Sequence, residues 1–226
     1  MVKETEILKV KNLNIRYNSP EGVKSILKDI TFFVPKGKTL GITGASGSGK
    51  SMTALSLMGL TRDIDNFNVS GDILFEGINL SKLSDVQWTE IRGRRMSMIF
   101  QHPQAALNPL IKCGDQIAEA ILTHSLATDK KTLRTKTMDI LHQVGLNDAL
   151  RIYQAYPHEL SGGQLQRVVI GMAISNKPDI IIADEPTSSL DAGNAGEILK
   201  LLKKIQVQSD ITLVLITHDI RVLLDI

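Results

Sequence analysis

Eight residues, Gly44-Ala45-Ser46-Gly47-Ser48-Gly49-Lys50-Ser51, constrain this 226-residue chain more than any other stretch. The run before them, Thr39 to Thr43, is short, apolar and β-favouring, and the run after them, Lys50 to Leu60, has helical apolar spacing. A glycine loop between a strand and a helix start is the context that a phosphate-binding loop requires, and it predicts an α/β core. Gly44, Gly47 and Gly49 allow backbone angles closed to other residues, so successive amide N–H groups turn inward as an anion nest. The helix start adds unsatisfied N–H groups and partial positive charge. In such a loop Lys50 reaches the β- and γ-phosphates of a nucleotide and Ser51 ligates Mg²⁺. The bland alternative, a Gly/Ser loop that merely turns, leaves the flanking strand and helix without a role.

A second loop, Leu160-Ser161-Gly162-Gly163-Gln164, also reads as phosphate-facing. The two loops are too far apart to close on one nucleotide, which suggests two chains meeting head to tail with ATP between them.

The remaining composition is that of an ordinary globular chain, 42% hydrophobic and 22% charged, enough for one domain or one domain with a lobe. A net charge of +2 does not argue for nucleic acid. The clusters Arg92-Arg94-Arg95 and Lys130-Lys131-Arg134-Lys136 read as solvated helix faces. The charged start, Met1 to Glu6, has no apolar signal core, and no run approaches the ~20 apolar residues that cross a bilayer. A soluble, unexported chain is therefore expected, and the lone Cys113 excludes an internal disulfide.

Ile7 to Tyr17 alternates Leu8, Val10, (Asn12), Leu13 and Ile15 against polar residues, as a half-exposed antiparallel strand does. Ile26 to Val34 and Gly71 to Phe75 read similarly. Met96 to Phe100, Asp179 to Ala183 and Ile211 to Thr217 are instead continuous apolar runs, the mark of parallel strands buried on both faces. With Thr39 to Thr43 they form the expected main sheet. Asp115 to Thr123, Thr132 to Val144 and Leu165 to Ser175 have helical periodicity and suggest a helical lobe inserted in the α/β core. The expected organisation is one domain, its core and antiparallel sheet spanning 1–101 and 177–226, its helical part about 102–176.

In open parallel sheets ligands bind beyond the carboxyl edge of the strands. Four polar residues follow the apolar runs there. Asp184 is placed to hold Mg²⁺ through its water shell. Glu185 is the natural group to polarise an attacking water. Gln101 could touch the metal or the water, and His218 could hydrogen-bond the γ-phosphate. Each alone reads equally well as a helix cap or strand-end turn; their joint occurrence, in this order, favours a site.

Tyr17, Gly44 to Ser51, Gln101, Leu160 to Gln164, Ile180 to Glu185, Ser189-Leu190-Asp191 and His218 resemble, in order and spacing, the motifs of ATP-binding cassette (ABC) ATPases over essentially the whole chain. The resemblance implies a P-loop NTPase (RecA-like) core with a mostly parallel sheet, an antiparallel β subdomain and an inserted α-helical subdomain. It implies that Tyr17 stacks on adenine, that the loop Gly44 to Ser51 with Met52 holds the phosphates, and that Gln101 is the Q-loop glutamine and His218 the switch histidine. Ser51, Gln101 and Asp184 become the Mg²⁺ set, and Glu185, His218 and Gln101 the catalytic set. Ser161, Gly162, Gly163 and Gln164 would close on the γ-phosphate held by the opposite subunit, with Asp191 signalling across the dimer. The physical logic agrees, since a helix expected to begin at Gln164 and Leu165 turns its N–H groups toward a phosphate.

Phe100 to Pro109 and Tyr156-Pro157-His158-Glu159 resemble the ATPase subunits of bacterial oligopeptide, dipeptide and nickel importers. That resemblance implies a second, homologous cassette, two membrane permeases on which the Phe100 to Pro109 stretch docks, an indirect solute-binding protein, and a place on the cytoplasmic face of the membrane. Asn108-Pro109 read as a simple turn is the alternative. Family members continue beyond the switch histidine, whereas only Asp219 to Ile226 follow here, so the end looks truncated. Other readings are weaker. Asn176-Lys177-Pro178-Asp179 spells a guanine-reading motif but precedes the acidic strand, which favours ATP over GTP. No heptad repeat separates the two loops, as a DNA-repair cassette would require. His102, His124, His142 and His158 lack metal-ligand spacing. The strongest rival is a regulatory partner subunit that binds ATP without turnover, and Glu185 and His218 argue against it.

Overall fold

A computed structural model describes residues 5–62, 64–125 and 129–224. The leader reading of Met1 to Glu4 and the last residues of the chain-end reading, Asp225 and Ile226, lie outside the described residues. The chain order is β1 (Glu6–Ser19), β2 (Gly22–Pro35), β3 (Thr39–Thr43), α1 (Lys50–Leu57), β4 (Phe67–Phe75), β5 (Ile78–Asn79), α2 (Asp85–Ile91), β6 (Met96–Ile99), α3 (Pro103–Ala106), α4 (Cys113–Leu122), α5 (Lys130–Gln143), α6 (Ala149–Gln154), α7 (Gly162–Ile174), β7 (Ile180–Asp184), α8 (Ala192–Ser209), β8 (Thr212–Thr217) and α9 (Ile220–Leu224).

Two four-stranded sheets form, one antiparallel in the order β2-β1-β4-β5, the other parallel in the order β3-β8-β7-β6. In β1 the apolar alternation slips by one residue between Val10 and Leu13. The register shifts there against both neighbours, and Asn12 takes a left-handed φ of 49°. An extra residue absorbed as a bulge returns Leu13 and Ile15 to the face of Leu8 and Val10, and all four are buried.

The parallel strands read as unbroken apolar runs because both of their faces are covered. Ile180, Ile182, Val214 and Ile216 pack toward α1 and the antiparallel sheet, while Ile181, Ala183, Leu213 and Leu215 pack toward the helices α4 to α8. Helices α4, α5, α6 and α7 pack on one another in that second layer. Cys113 is fully buried there, and burial pushes its thiol up to about 11.

Several boundaries differ from the periodicity. Helix α7 starts at Gly162 rather than Gln164, because Ser161 caps it: its Oγ accepts from Gln164 N at 3.3 Å and its N donates to Gln164 Oε1 at 3.2 Å. Asp129 likewise starts α5 at Lys130. Helix α8 has no apolar stripe in its first turn, Ala192-Gly193-Asn194-Ala195-Gly196, and its length is not apparent from the sequence.

The basic clusters divide. Lys130, Lys131, Arg134 and Lys136 are exposed on α5, whereas Arg92 and Arg95 are not solvated helix residues. Arg92 lies 4.6 Å over the Trp88 ring and donates to Met58 O and Gly59 O. Arg95 lies over Phe75 and bridges Glu76 Oε2 at 2.7 Å and Asp179 Oδ2 at 2.8 Å, tying the antiparallel sheet to the start of β7. Its guanidinium holds the Glu76 carboxyl below the usual carboxylate range.

Close approach sets one further requirement. A Cβ on Gly114 of α4 would fall 2.3 Å from the Tyr153 ring of α6. Gly114→Ala is expected to lower stability by about 1–3 kcal/mol through overpacking, read from the midpoint of urea unfolding at constant m.

Candidate active site

All four parallel strands end on one edge, and the loops that leave them meet. Gly44 follows β3, Gln101 follows β6 by one residue, Asp184 closes β7 with Glu185 next, and His218 follows β8. Their residues line a cleft of about 480 Å³ formed by Ser46, Gly47, Gly49, Lys50, Ser51, Met52, Gln101, Glu185 and His218, together with Ile26 of β2. Ile26 carried no signal in the sequence, since it comes from the other sheet.

The glycines of the loop act for different reasons. Gly47 and Gly49 have φ of 76° and 94°, which side chains with a Cβ rarely adopt. A Cβ on Gly49 would also lie 2.4 Å from Leu27 Cδ2. Gly44, expected to need unusual angles, is not among the positive-φ residues. Its requirement is space, for a Cβ would stand 2.9 Å from Ser48 Oγ. Lys50 is buried, and its Nζ donates back to Gly44 O at 2.8 Å and Ala45 O at 2.9 Å, so the ammonium already lies inside the curl of the loop.

Opposite the loop, Glu185 holds a left-handed φ of 46° directly after the buried strand. Its N donates to Ile216 O at 2.9 Å, which fixes the backbone despite that conformation. Both carboxylate oxygens are engaged: Gln101 Nε2 donates to Oε2 at 3.1 Å, and His218 Nδ1 lies 3.1 Å from Oε1. Three residues far apart in the chain thus meet at one carboxylate.

Asp184 is 4% exposed, and its Oδ1 has no hydrogen-bond partner. Burial raises its pKa, opposed by a hydrogen bond from the Ser51 side chain and the charge of Lys50, while Glu185 raises it further. A buried carboxylate oxygen without a partner, beside a hydroxyl at the mouth of a phosphate-type loop, fits a hydrated divalent cation.

The second glycine loop lies elsewhere. Ser161, Gly163 and Gln164 line a separate cleft of about 330 Å³ with Asn147, Arg151, Arg167, Asn194 and Glu197, and the two clefts share no lining residue. Asp191 caps α8, accepting from Asn194 N at 3.0 Å and Nδ2 at 2.6 Å, and these bonds lower its pKa. Asn194 then stands behind Gly163, where a Cβ would meet its Oδ1 at 2.7 Å. Asn194 was missed in the sequence, although its spacing three residues after a capping Asp is a usable signal. Tyr17 does not line the first cleft; its ring packs on Phe67 with centroids 5.3 Å apart.

Asn108-Pro109 does form a turn, Ile111 N donating to Asn108 O at 3.3 Å and Leu110 N to Asn108 Oδ1 at 3.0 Å. Gln116, 5% exposed, accepts from Asn108 N and donates to Asn108 O and Ile111 O, clamping a loop whose tip, Leu110, is 83% exposed.

Over residues 27–188 the chain matches the family model described as ABC transporter, and it belongs to that family. It is 42% identical to the dipeptide transport ATP-binding protein DppD of Bacillus subtilis, over 96% of this chain and 64% of that protein. It is 41% identical to the oligopeptide transport ATP-binding protein OppD of Haemophilus influenzae, over 96% of this chain and 66% of that protein. The chain thus spans a little under two thirds of the length of these relatives. Its fold superposes with a TM-score of 0.84 on the dimeric ATP-binding cassette MJ0796, solved in a post-hydrolysis state bound to ADP and Pi; the two are 31% identical, over 95% of this chain and 89% of that one. Among the described residues no helix is long and apolar enough to cross a membrane.

The buried Asp184 yields a signed expectation. A carboxyl whose folded pKa is raised costs stability above its unfolded pKa, where it must be charged, and that cost is absent at lower pH. Asp184→Asn removes the charge, so the nucleotide-free protein is expected to melt at a higher temperature near pH 7 and to lose any further gain from Mg²⁺ with nucleotide. Scanning fluorimetry with and without Mg²⁺ checks both.

Proposed function

We propose that the chain is the ATP-hydrolysing subunit of a bacterial importer, powering uptake of peptides through a membrane permease pair, with nickel the alternative cargo. The observation that carries the hydrolytic reading is Glu185, held by Gln101 and His218 at the mouth of the glycine loop.

In this reading ATP lies along residues 44–51 with Met52, its phosphates on the loop N–H groups. Lys50 exchanges its carbonyl partners for β- and γ-phosphate oxygens. Tyr17 stacks on adenine by turning from its packing on Phe67. Ser51, Asp184 and Gln101 hold Mg²⁺, which supplies charge neutralisation at the phosphates. Glu185 accepts a hydrogen bond from the attacking water and orients it in line with the γ-phosphate, while His218 and Gln101 fix the carboxylate. Ser161, Gly162, Gly163 and Gln164 serve the nucleotide of a second, homologous cassette, with Asp191 beside the junction. Two clefts that share no lining residue, each carrying one of the glycine loops, support this shared arrangement.

The domain reading follows: a core and antiparallel sheet over 1–101 and 177–226, and a helical part over about 102–176 that carries the second glycine loop. The exposed Leu110 and the partly exposed Phe100 give that helical side an apolar contact for a permease on the cytoplasmic membrane face, with the solute-binding protein acting only indirectly. Nucleic acid has no place in this scheme. Peptide import is favoured over nickel by the names of the relatives, which are transporters of dipeptides and oligopeptides.

Glu185→Gln is expected to keep ATP binding, trap a closed dimer and lower kcat by about 10²–10⁴-fold; wild-type turnover would remove Glu185 from the mechanism. Lys50→Ala is expected to weaken ATP binding by at least about tenfold, measured by titration calorimetry, and unchanged affinity would count against the loop as the phosphate cradle.

A further inference from the structure

Trp88 is the single tryptophan of the chain and is buried on α2, yet its indole N–H has no hydrogen-bond partner among the described residues. A buried donor left unmatched is costly, and native proteins hold few of them. The indole lines a cleft of about 400 Å³ whose other walls are the end of α1, the turn after it and β4. The nitrogen-bearing edge of the ring is on the side of Gly59, another wall residue. A Cβ there would stand 2.4 Å from Cζ2 and 2.7 Å from Cε2, the carbon bonded to Nε1. None of the residues lining this cleft lines the cleft of the first glycine loop or the groove that holds Phe100.

The remaining lining defines what kind of molecule would use that donor. Val69, Ile73 and Leu80 give an apolar wall, and Arg62 gives an exposed cation. Arg62 Nη1 donates to Leu83 O at 2.7 Å, which anchors one arm of the guanidinium and leaves the others for a ligand. Ser56 and Thr61 form a buried hydroxyl pair 3.2 Å apart, and the one Ser56 proton goes to Met52 O at 2.7 Å. Thr61 is therefore the donor of the pair, and its own oxygen keeps acceptor capacity. Pockets of this size with an apolar wall and a few polar groups suit small ligands. We propose that this cleft binds a small amphipathic acid that carries an amide. Its carboxylate pairs with Arg62, its amide carbonyl accepts from Trp88 Nε1, its amide N–H donates to Thr61 Oγ1, and its apolar side chain lies on Val69, Ile73 and Leu80. Nε1 and Thr61 are covered, so the wall yields slightly on binding, as the exposed Arg62 side chain allows.

The test uses the whole chain with N-acetyl-L-leucine as the probe. Because Trp88 is the only tryptophan, one indole N–H signal in a nitrogen-correlated proton spectrum reports on this cleft alone. That proton is expected to move downfield saturably, with Kd of about 0.1–1 mM. N-acetyl-L-leucinamide, which lacks the charge, binds at least about fivefold more weakly, and Arg62→Gln weakens N-acetyl-L-leucine by a similar factor. No saturable shift at concentrations well above that range overturns the proposal and leaves the cleft to water. Equal binding of the acid and the amide overturns it too, as does undiminished binding by Arg62→Gln. If Arg62→Gln does not fold, the two probes compared on wild-type protein decide alone. Failure here leaves the hydrolytic reading standing, because ATP binding is measured separately and the two clefts have no lining residue in common.

Discussion

Burial of the parallel sheet on both faces is the constraint from which the rest follows. Strands covered on two sides can present polar residues only where they stop, and in a parallel sheet they all stop on the same edge. Lys50, Gln101, Asp184, Glu185 and His218 meet for that reason, although the chain between them includes five helices of the second layer and most of its surface loops. The antiparallel sheet adds a wall. Leu27 presses on Gly49 and Ile26 reaches the cleft, so the phosphate-type loop is held from its outer side by a sheet whose own register depends on the bulge at Asn12.

The cleft holds two adjacent carboxylates in different surroundings. Glu185 has both oxygens engaged by side-chain partners, while Asp184, one residue earlier, is left in the interior with an unshared oxygen. The backbone explains how neighbours reach such different surroundings. Asp184 is still in the strand, and the left-handed turn at Glu185 swings the next carboxylate out to meet Gln101 and His218.

Local chemistry was the legible part of the sequence. Glycine spacing and apolar runs identified the strands, the first loop and the existence of the helix after the second loop, because each signal lies within a few residues of what it controls, whereas the Ser161 cap that starts that helix two residues earlier went unread. Arg95 was misread as a solvated residue because its partners, Glu76 and Asp179, are distant in the chain and only the fold brings them together. The same limit hid Ile26 and the role of Gln116. Gly44 shows a subtler loss: a glycine announces that a side chain is excluded, but not whether angle or space excludes it.

The clamp of Gln116 on Asn108 and Ile111 has a consequence for association. A protruding loop usually surrenders motion when it docks, and that lost freedom weakens the complex. Here the buried amide of Gln116 accepts from Asn108 N and donates to Asn108 O and Ile111 O, so the backbone beneath the exposed Leu110 is tied to α4 within the chain itself.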